Sequence, residues 1–340
     1  MTKLKYIGVF TLPMTVVISF TQMGIWCFLP VFLFFGLVPL LELLLKPDKY
    51  NLEGRALEMA KTDPFYDWLL YLTVPVQVGF LVWFLIVIRE TPMGTIEYAG
   101  RIHAMGLMCG VFGINIGHEL GHRSSRSVQV LGEISLMTSL EMHFLPYHNS
   151  GHHHNVATPK DPATARKGEW LYLFWFRSQI GSYIQAWQLE TNRLKKKDRY
   201  WLSLSNRMVV YTMAQLTLIG IVFMFFDWAV LFAFLQVALM GILLLETVNY
   251  IEHYGLLRKK KEHGRYERVL PRHSWNSDHV IGRTFLFELS RHSDHHYKAS
   301  KHYQILETVQ DSPQMPTGYP GMMLLSLLPP LWFWVINRRL

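Results

Sequence analysis

The chain has 340 residues, half of them hydrophobic, 14% aromatic and only 17% charged, against roughly 25% charged in a typical soluble domain. That balance reads as an integral membrane protein, and the only two cysteines, Cys27 and Cys109, lie in apolar runs, which excludes a disulfide scaffold, a cysteine-ligated zinc site and an iron–sulfur cluster. The net charge of +8 does not point to nucleic acid: of 33 Lys and Arg, 11 fall in residues 119–206 and 13 in 253–340, behind apolar segments, with no interleaved stacking aromatics.

Six segments are predicted to span a hydrocarbon core about 30 Å thick: approximately 6–22, 24–45, 67–88, 97–118, 207–226 and 228–250. The first two form a hairpin around Gln22 and Met23, and the last two turn at Asp227. Segment 6–22 reads as a span rather than a signal peptide, because no small-residue cleavage site follows it and a second span does. Basic residues mark the cytoplasmic side. Lys3, Lys5, Lys46, Lys49, Arg55, Lys61 and the two polar blocks share one side, while Arg89 is the sole basic residue of the alternate connections, so both termini are expected in the cytoplasm. The stretch 318–337 is apolar but broken by Pro320, Pro329 and Pro330. It is expected to pack or lie at the interface, since broken backbone is poorly tolerated in lipid. The predicted fold is all-α: a polytopic membrane protein with about six transmembrane helices, a single integral membrane domain over 1–340. Residues 119–206 and 251–340 form a cytoplasmic His-rich cap.

Sixteen histidines are present, and nine fall into four groups: His118 and His122; His148, His152 and His153; His253; and His292, His295 and His296. On an α-helix, residues three or four apart share a face. His118 is therefore expected beside His122, His148 beside His152, and His292 beside His295 and His296. All four groups fall at the predicted cytoplasmic edge, where they can meet, and imidazole suits iron, copper, zinc and nickel. Nine nitrogen ligands exceed what one ion can use, so two ions are implied. The two Glu-x-x-His motifs that a carboxylate-bridged di-iron bundle needs are not both present. His253 has no histidine partner one turn away; it follows directly after the sixth span, where it is expected to reach the same metal centre as His118 and His122. Glu252, about 100° around the helix, is expected to point away from that coordination position. Of the rest, His103 lies roughly 22 Å from His118 along a helix and reads as packed, and His154 points away from His152. His143, His263 and His302 read as surface or supporting residues, and His273 and His279 as supports for the ligands.

The strings HELGHR (118–123), HNSGHHHNVATPKDPATAR (148–166), NYIEHYGLLR (249–258), RYERVLPRHSWNS (265–277) and RHSDHH (291–296) resemble those of the membrane alkane 1-monooxygenases, within the wider membrane desaturase and hydroxylase group. The resemblance covers most of residues 95–310. It implies a six-helix membrane fold and a non-haem di-iron centre of two Fe ions held by His118, His122, His148, His152, His153, His253, His292, His295 and His296. It also implies hydroxylation of the terminal carbon of alkanes to 1-alkanols with O2. Electrons would come from rubredoxin and its reductase, in a bacterial-type inner membrane with the metal site on the cytoplasmic side. The chain departs from the family pattern at Tyr147, where Glu is usual, at Val269 for a common Cys, and at His302 for Arg or Lys; its N-terminal region is also shorter than in many members.

Glu119, Asn249, Glu252 and Asp294 adjoin the proposed ligands and are expected to orient imidazole N–H groups, whereas Asp161 and Arg166 are expected to brace the cap. The runs Lys195 to Lys197 and Lys259 to Lys261 suit the steering of an acidic redox partner, or the attraction of anionic lipid. An alkane partitions into lipid, so a lateral apolar route is expected, with Trp83, Phe84 and Phe112 as candidate walls. Three rivals stand beside this reading. HELGH matches the HExxH signature of zinc proteases, with Glu119 as base, but leaves seven clustered histidines unexplained. A desaturase, or a hydroxylase of fatty acyl chains or xylene methyl groups, shares the histidine boxes. A His-rich metal transporter would hold its ligands near the bilayer midplane rather than at helix ends.

Overall fold

A computed structural model describes residues 3–340. These residues form helices and loops, with two isolated bridge pairs and no strand among them. Five helices are long and apolar enough to cross a membrane: α1 (Lys3–Thr21), α2 (Gly24–Leu44), α4 (Phe65–Glu90), α9 (Arg207–Phe225) and α10 (Trp228–His253). The short α3 (Gly54–Thr62) lies between α2 and α4. The expected fourth span lies inside α5, a continuous helix over residues 95–121. Its 27 residues give a length of roughly 40 Å at 1.5 Å per residue, but Glu97, Arg101, His103, Asn115 and His118 lower its hydropathy. Almost every residue of α5 from Gly100 onward is buried or half-buried, so it is an interior helix whose polar groups meet protein rather than lipid.

Local chemistry sets the hairpins. Asp227 caps α10 by accepting from the Val230 amide at 2.9 Å, and Asn206 caps α9 by accepting from the Met208 amide at 2.9 Å. At the α1–α2 turn the buried Arg101 of α5 donates to the carbonyls of Ser19 and Gln22, both at 3.3 Å, satisfying groups that end α1. Gly100 lets α5 approach this turn, since a Cβ there would stand 2.5 Å from the Cβ of Cys27.

The cap follows α5. It comprises α6 (Arg126–Met137), α7 (144–155), α8 (Leu171–Lys195), α11 (Val280–Phe285), α12 (His292–Tyr297), α13 (Tyr319–Ser326) and α14 (Pro329–Ile336). The apolar stretch near the C-terminus is thus two eight-residue helices, each too short to cross, with Trp332 and Met322 buried in a core shared with Tyr250 and Tyr254. Three helices carry π-helical turns: Phe32–Leu37 in α2, Cys109–Asn115 in α5 and His148–His152 in α7. All three border the site described next, consistent with the placement of π turns at functional positions.

Candidate metal centre

The nine histidines converge from four helices, α5 with its C-terminal end, α7, α10 and α12, into two groups. His118, His122, His148, His153 and His295 form one, and His152, His253, His292 and His296 the other; within each, the ligating nitrogens lie within 4.8 Å of one another. In the first group, Nε2 atoms approach at 3.1 Å (His118–His295, His118–His122), 3.2 Å (His122–His148) and 2.9 Å (His148–His153). In the second, His152 meets His296 at 3.2 Å and His253 meets His292 at 3.1 Å.

The His118–His122 and His292–His296 pairings follow simple α-helical spacing within one group. The π turn of α7 brings residues five apart onto one face, so His148 joins His153, and His152 turns to the other group, correcting the expected His148–His152 pair. In α12, His292 and His296 stay together while His295, about 60° behind His292 on the helix, enters the first group. His253 belongs with His152, His292 and His296, while His118 and His122 lie in the neighbouring five-histidine group.

The donor set fits cations. Burial first, then neighbouring imidazoles, hold His148, His153, His292, His295 and His296 below the usual range, so the rings are neutral with lone pairs free. Several Nε2 lone pairs aimed at one point cannot all satisfy each other with protons, because a neutral ring carries a single N–H. A positive ion at each focus resolves that crowding.

The carboxylates around the ligands are arranged differently from expectation. Asp161, anticipated as a brace, accepts from His152 Nδ1 at 2.9 Å. Its Oδ2 also takes the Thr164 hydroxyl at 2.6 Å, and its Oδ1 takes the Tyr147 hydroxyl at 2.5 Å and the Ala163 amide at 3.3 Å. Burial works to raise the Asp161 carboxyl, but the neighbouring His152 ring and the Thr164 and Tyr147 hydroxyls outweigh it and hold it at about 2. The signal was present in the sequence, as an Asp nine residues after His152 in KDPATAR. Glu252 does not point away: its Oε2 lies 3.1 Å from His292 Nε2, and its Oε1 accepts from the Tyr319 hydroxyl at 2.8 Å. A glutamate side chain is long enough to reach back across the 100° step.

The other three expected orienting residues face elsewhere. Glu119 is held by Arg123 at 3.0 Å and the Tyr303 amide at 3.2 Å, and Arg123 also pairs with Asp67 and His302. A carboxylate clamped in this way, with its two flanking histidines inside a five-imidazole group, does not fit the general base of a zinc protease. Asn249 donates to Glu246 at 3.3 Å, and Asp294 pairs with Lys301 at 2.8 Å and accepts from the Glu307 amide at 2.9 Å. His143 is buried beside Glu141 and Ser182, both at 3.3 Å, rather than at the surface. His154 and His263 are exposed, His103 bonds the Ala99 carbonyl, and His273 and His279 bond Glu267 and Ser277. Arg166 contributes its backbone amide to Glu169.

An apolar cavity of about 110 Å³, partly open to the outside, ends at the histidines. Leu107, Gly110, Val111, Ile114 and Asn115 line it on α5, ending at His118, and Leu244, Leu245, Val248, Asn249 and Glu252 line it on α10. Phe34, Phe35 and Val38 close it from α2, and Phe285, Leu286, Leu289 and His292 from the cap. Trp83, Phe84 and Phe112 are not among its walls. Phe84 and Phe112 are wholly buried, packing on Phe20 and Phe10, because the π turn of α5 presents Gly110, Val111 and Ile114 to the cavity instead.

Residues 99–326 match the family described as fatty acid desaturase. Alkane 1-monooxygenase 1 of Alcanivorax borkumensis is 39% identical over 317 residues, covering 93% of this chain and 78% of that protein. Alkane 1-monooxygenase 2 of Pseudomonas aeruginosa is 38% identical over 318 residues, covering 92% and 84%.

Proposed function

The chain belongs to the fatty acid desaturase family and, within it, to the alkane 1-monooxygenases, and from that premise we propose a two-iron hydroxylase acting on the chain ends of alkanes drawn from the bilayer. The enzyme is a multi-pass membrane monooxygenase that converts an alkane to a 1-alkanol. The overall change is alkane plus O2, two electrons and two protons to alcohol and water. The alkane reading is favoured over acyl desaturation and xylene hydroxylation by the relatives' names and coverage. When bound, iron supplies the reduction of O2 and the oxidation of the C–H bond.

The observation that carries the ligand assignment is the convergence of nine imidazoles on two foci at the end of an apolar cavity. His118, His122, His148, His153 and His295 would hold one ion. His152, His253, His292 and His296 would hold the other, with the Glu252 carboxylate at the rim of that group. Asp161 keeps the His152 Nδ1 protonated and its Nε2 free to ligate. The cavity walls exclude water and hold the chain straight, so that only a terminal carbon reaches the region between His118, His148 and His292. Asn115, Asn249 and Tyr319 are neutral polar residues of the cavity lining, suited to receive the alcohol hydroxyl.

An electron-transfer partner is required, and rubredoxin with its reductase fits the family. In this reading the termini, the cap over 119–206 and 251–340 and the metal site face the cytoplasm of a bacterial-type inner membrane. The exposed run Lys259 to Lys261 then stands beside the site: Arg258, which precedes it, donates to the carbonyl of His154 at 2.9 Å. The test is iron analysis of the purified chain together with gas chromatography after feeding a series of alkanes. About two irons and O2-dependent 1-alkanols are expected; one zinc, or products hydroxylated only within the chain, would overturn the proposal.

A further inference from the structure

In the four-histidine group, Nδ1 of His253, His292 and His296 makes no well-formed hydrogen bond, so His152 is the one ring held at Nδ1 by a carboxylate, while Glu252 meets His292 at Nε2. That carboxylate is held in turn. One oxygen of Asp161 serves His152 and Thr164; the other takes the Tyr147 hydroxyl at 2.5 Å and the Ala163 amide at a weaker 3.3 Å. Tyr147 is wholly buried, immediately precedes His148, and its ring lies tilted against His152 with centroids 6.0 Å apart.

We infer that Tyr147 is a positioning residue for the four-histidine ion: through Asp161 its hydroxyl fixes the His152 ring, so retention of that ion depends on the phenol while the five-histidine ion does not. The inference rests on the two-ion reading above. A buried carboxylate that loses its strongest partner on one oxygen is free to turn about its Cβ–Cγ bond, and the imidazole it holds turns with it. A phenol is a neutral donor, so it orients Asp161 without competing for the negative charge that His152 needs. A carboxyl group at position 147 could bond Asp161 only by sharing a proton with it.

The test measures iron retention of the purified full chain against a chelator, with the Mössbauer spectrum recorded before and after. Tyr147→Phe removes the hydroxyl and keeps the ring. It is expected to lower the chelator concentration that strips one of the two irons by about tenfold or more, the range seen when partners of metal ligands are removed. The spectrum of the second iron should stay unchanged. In an Asp161→Asn background, Tyr147→Phe should add nothing. Wild-type retention of both irons in Tyr147→Phe, equal loss of both, or a full effect in the Asp161→Asn background would each overturn the inference. If Tyr147→Phe is not recovered as a monodisperse protein, Thr164→Val tests the same carboxylate from its other oxygen, with the same outcomes read. A wild-type chain that holds other than two irons would sink the two-ion reading itself.

Discussion

Gly110 is expected to set the length of alkane the enzyme accepts. Leu107, Gly110, Ile114 and His118 lie along one side of the cavity on α5, so its depth from Leu107 to His118 is eleven residues, roughly 16 Å at 1.5 Å per residue. An extended chain advances about 1.2 Å per bond, as the 3.3–3.6 Å spanned by three backbone bonds implies, which corresponds to about thirteen bonds. A Cβ built at Gly110 stands 3.0 Å from Cδ1 and 3.4 Å from Cβ of Leu244 on the opposite wall. Gly110→Val therefore closes the cavity eight residues from His118, at roughly 12 Å. Lipid tails are as apolar as the cavity, so a hydrocarbon gains little by leaving the bilayer and space alone discriminates between lengths. The upper limit of good substrates should fall by about three carbons, from near C14 to near C11, while short alkanes keep most of their rate. Competition among C6 to C16 alkanes, with 1-alkanols quantified by gas chromatography, reads the shift. An unchanged profile from a folded, iron-loaded Gly110→Val enzyme would refute the placement of the chain along α5.

Further outcomes follow from other contacts. His253→Ala should lose the iron of the four-histidine group and all hydroxylation while remaining inserted and monodisperse; full iron in His253→Lys would instead make His253 a cap at the α10 C-terminus. Glu288 is buried among Arg283, Lys5 and Arg291, whose charges outweigh the effect of burial and hold its carboxyl at about 2 against an ordinary 4.5. A depressed carboxyl contributes stability above its unfolded pKa. Glu288→Gln should thus cost about 3 kcal/mol near neutral pH, with the gap to wild type closing as pH falls from about 4.5 towards 2 in melts followed by circular dichroism. Charge reversal at Lys259, Lys260 and Lys261 should slow reduction by an acidic redox protein more at low than at high salt; equal slowing at both would remove this surface as the docking site.

The membrane class, the helical architecture and the identity of the nine histidines were legible in the sequence because each rests on local composition: apolar run length, basic flanks and imidazole clustering. The hairpin at Asp227 could likewise be read locally, since that residue caps the helix it starts. The interior position of α5 was hidden, because hydropathy reports how apolar a segment is, not whether protein or lipid surrounds it. The sorting of histidines between the two foci depended on the π turn at His148–His152, which replaces a four-residue repeat by a five-residue one and which no spacing rule for α-helices contains. The π turn at Cys109–Asn115 likewise took Phe112 out of the cavity wall and put Gly110 into it. Asp161, Glu252 and Tyr147 acquired their roles only through contacts with residues from other turns and helices. Residue type and short-range spacing determine which groups can bind a metal; only the tertiary structure decides which of them share one, because that depends on helix phase and on where each long side chain finds its partner.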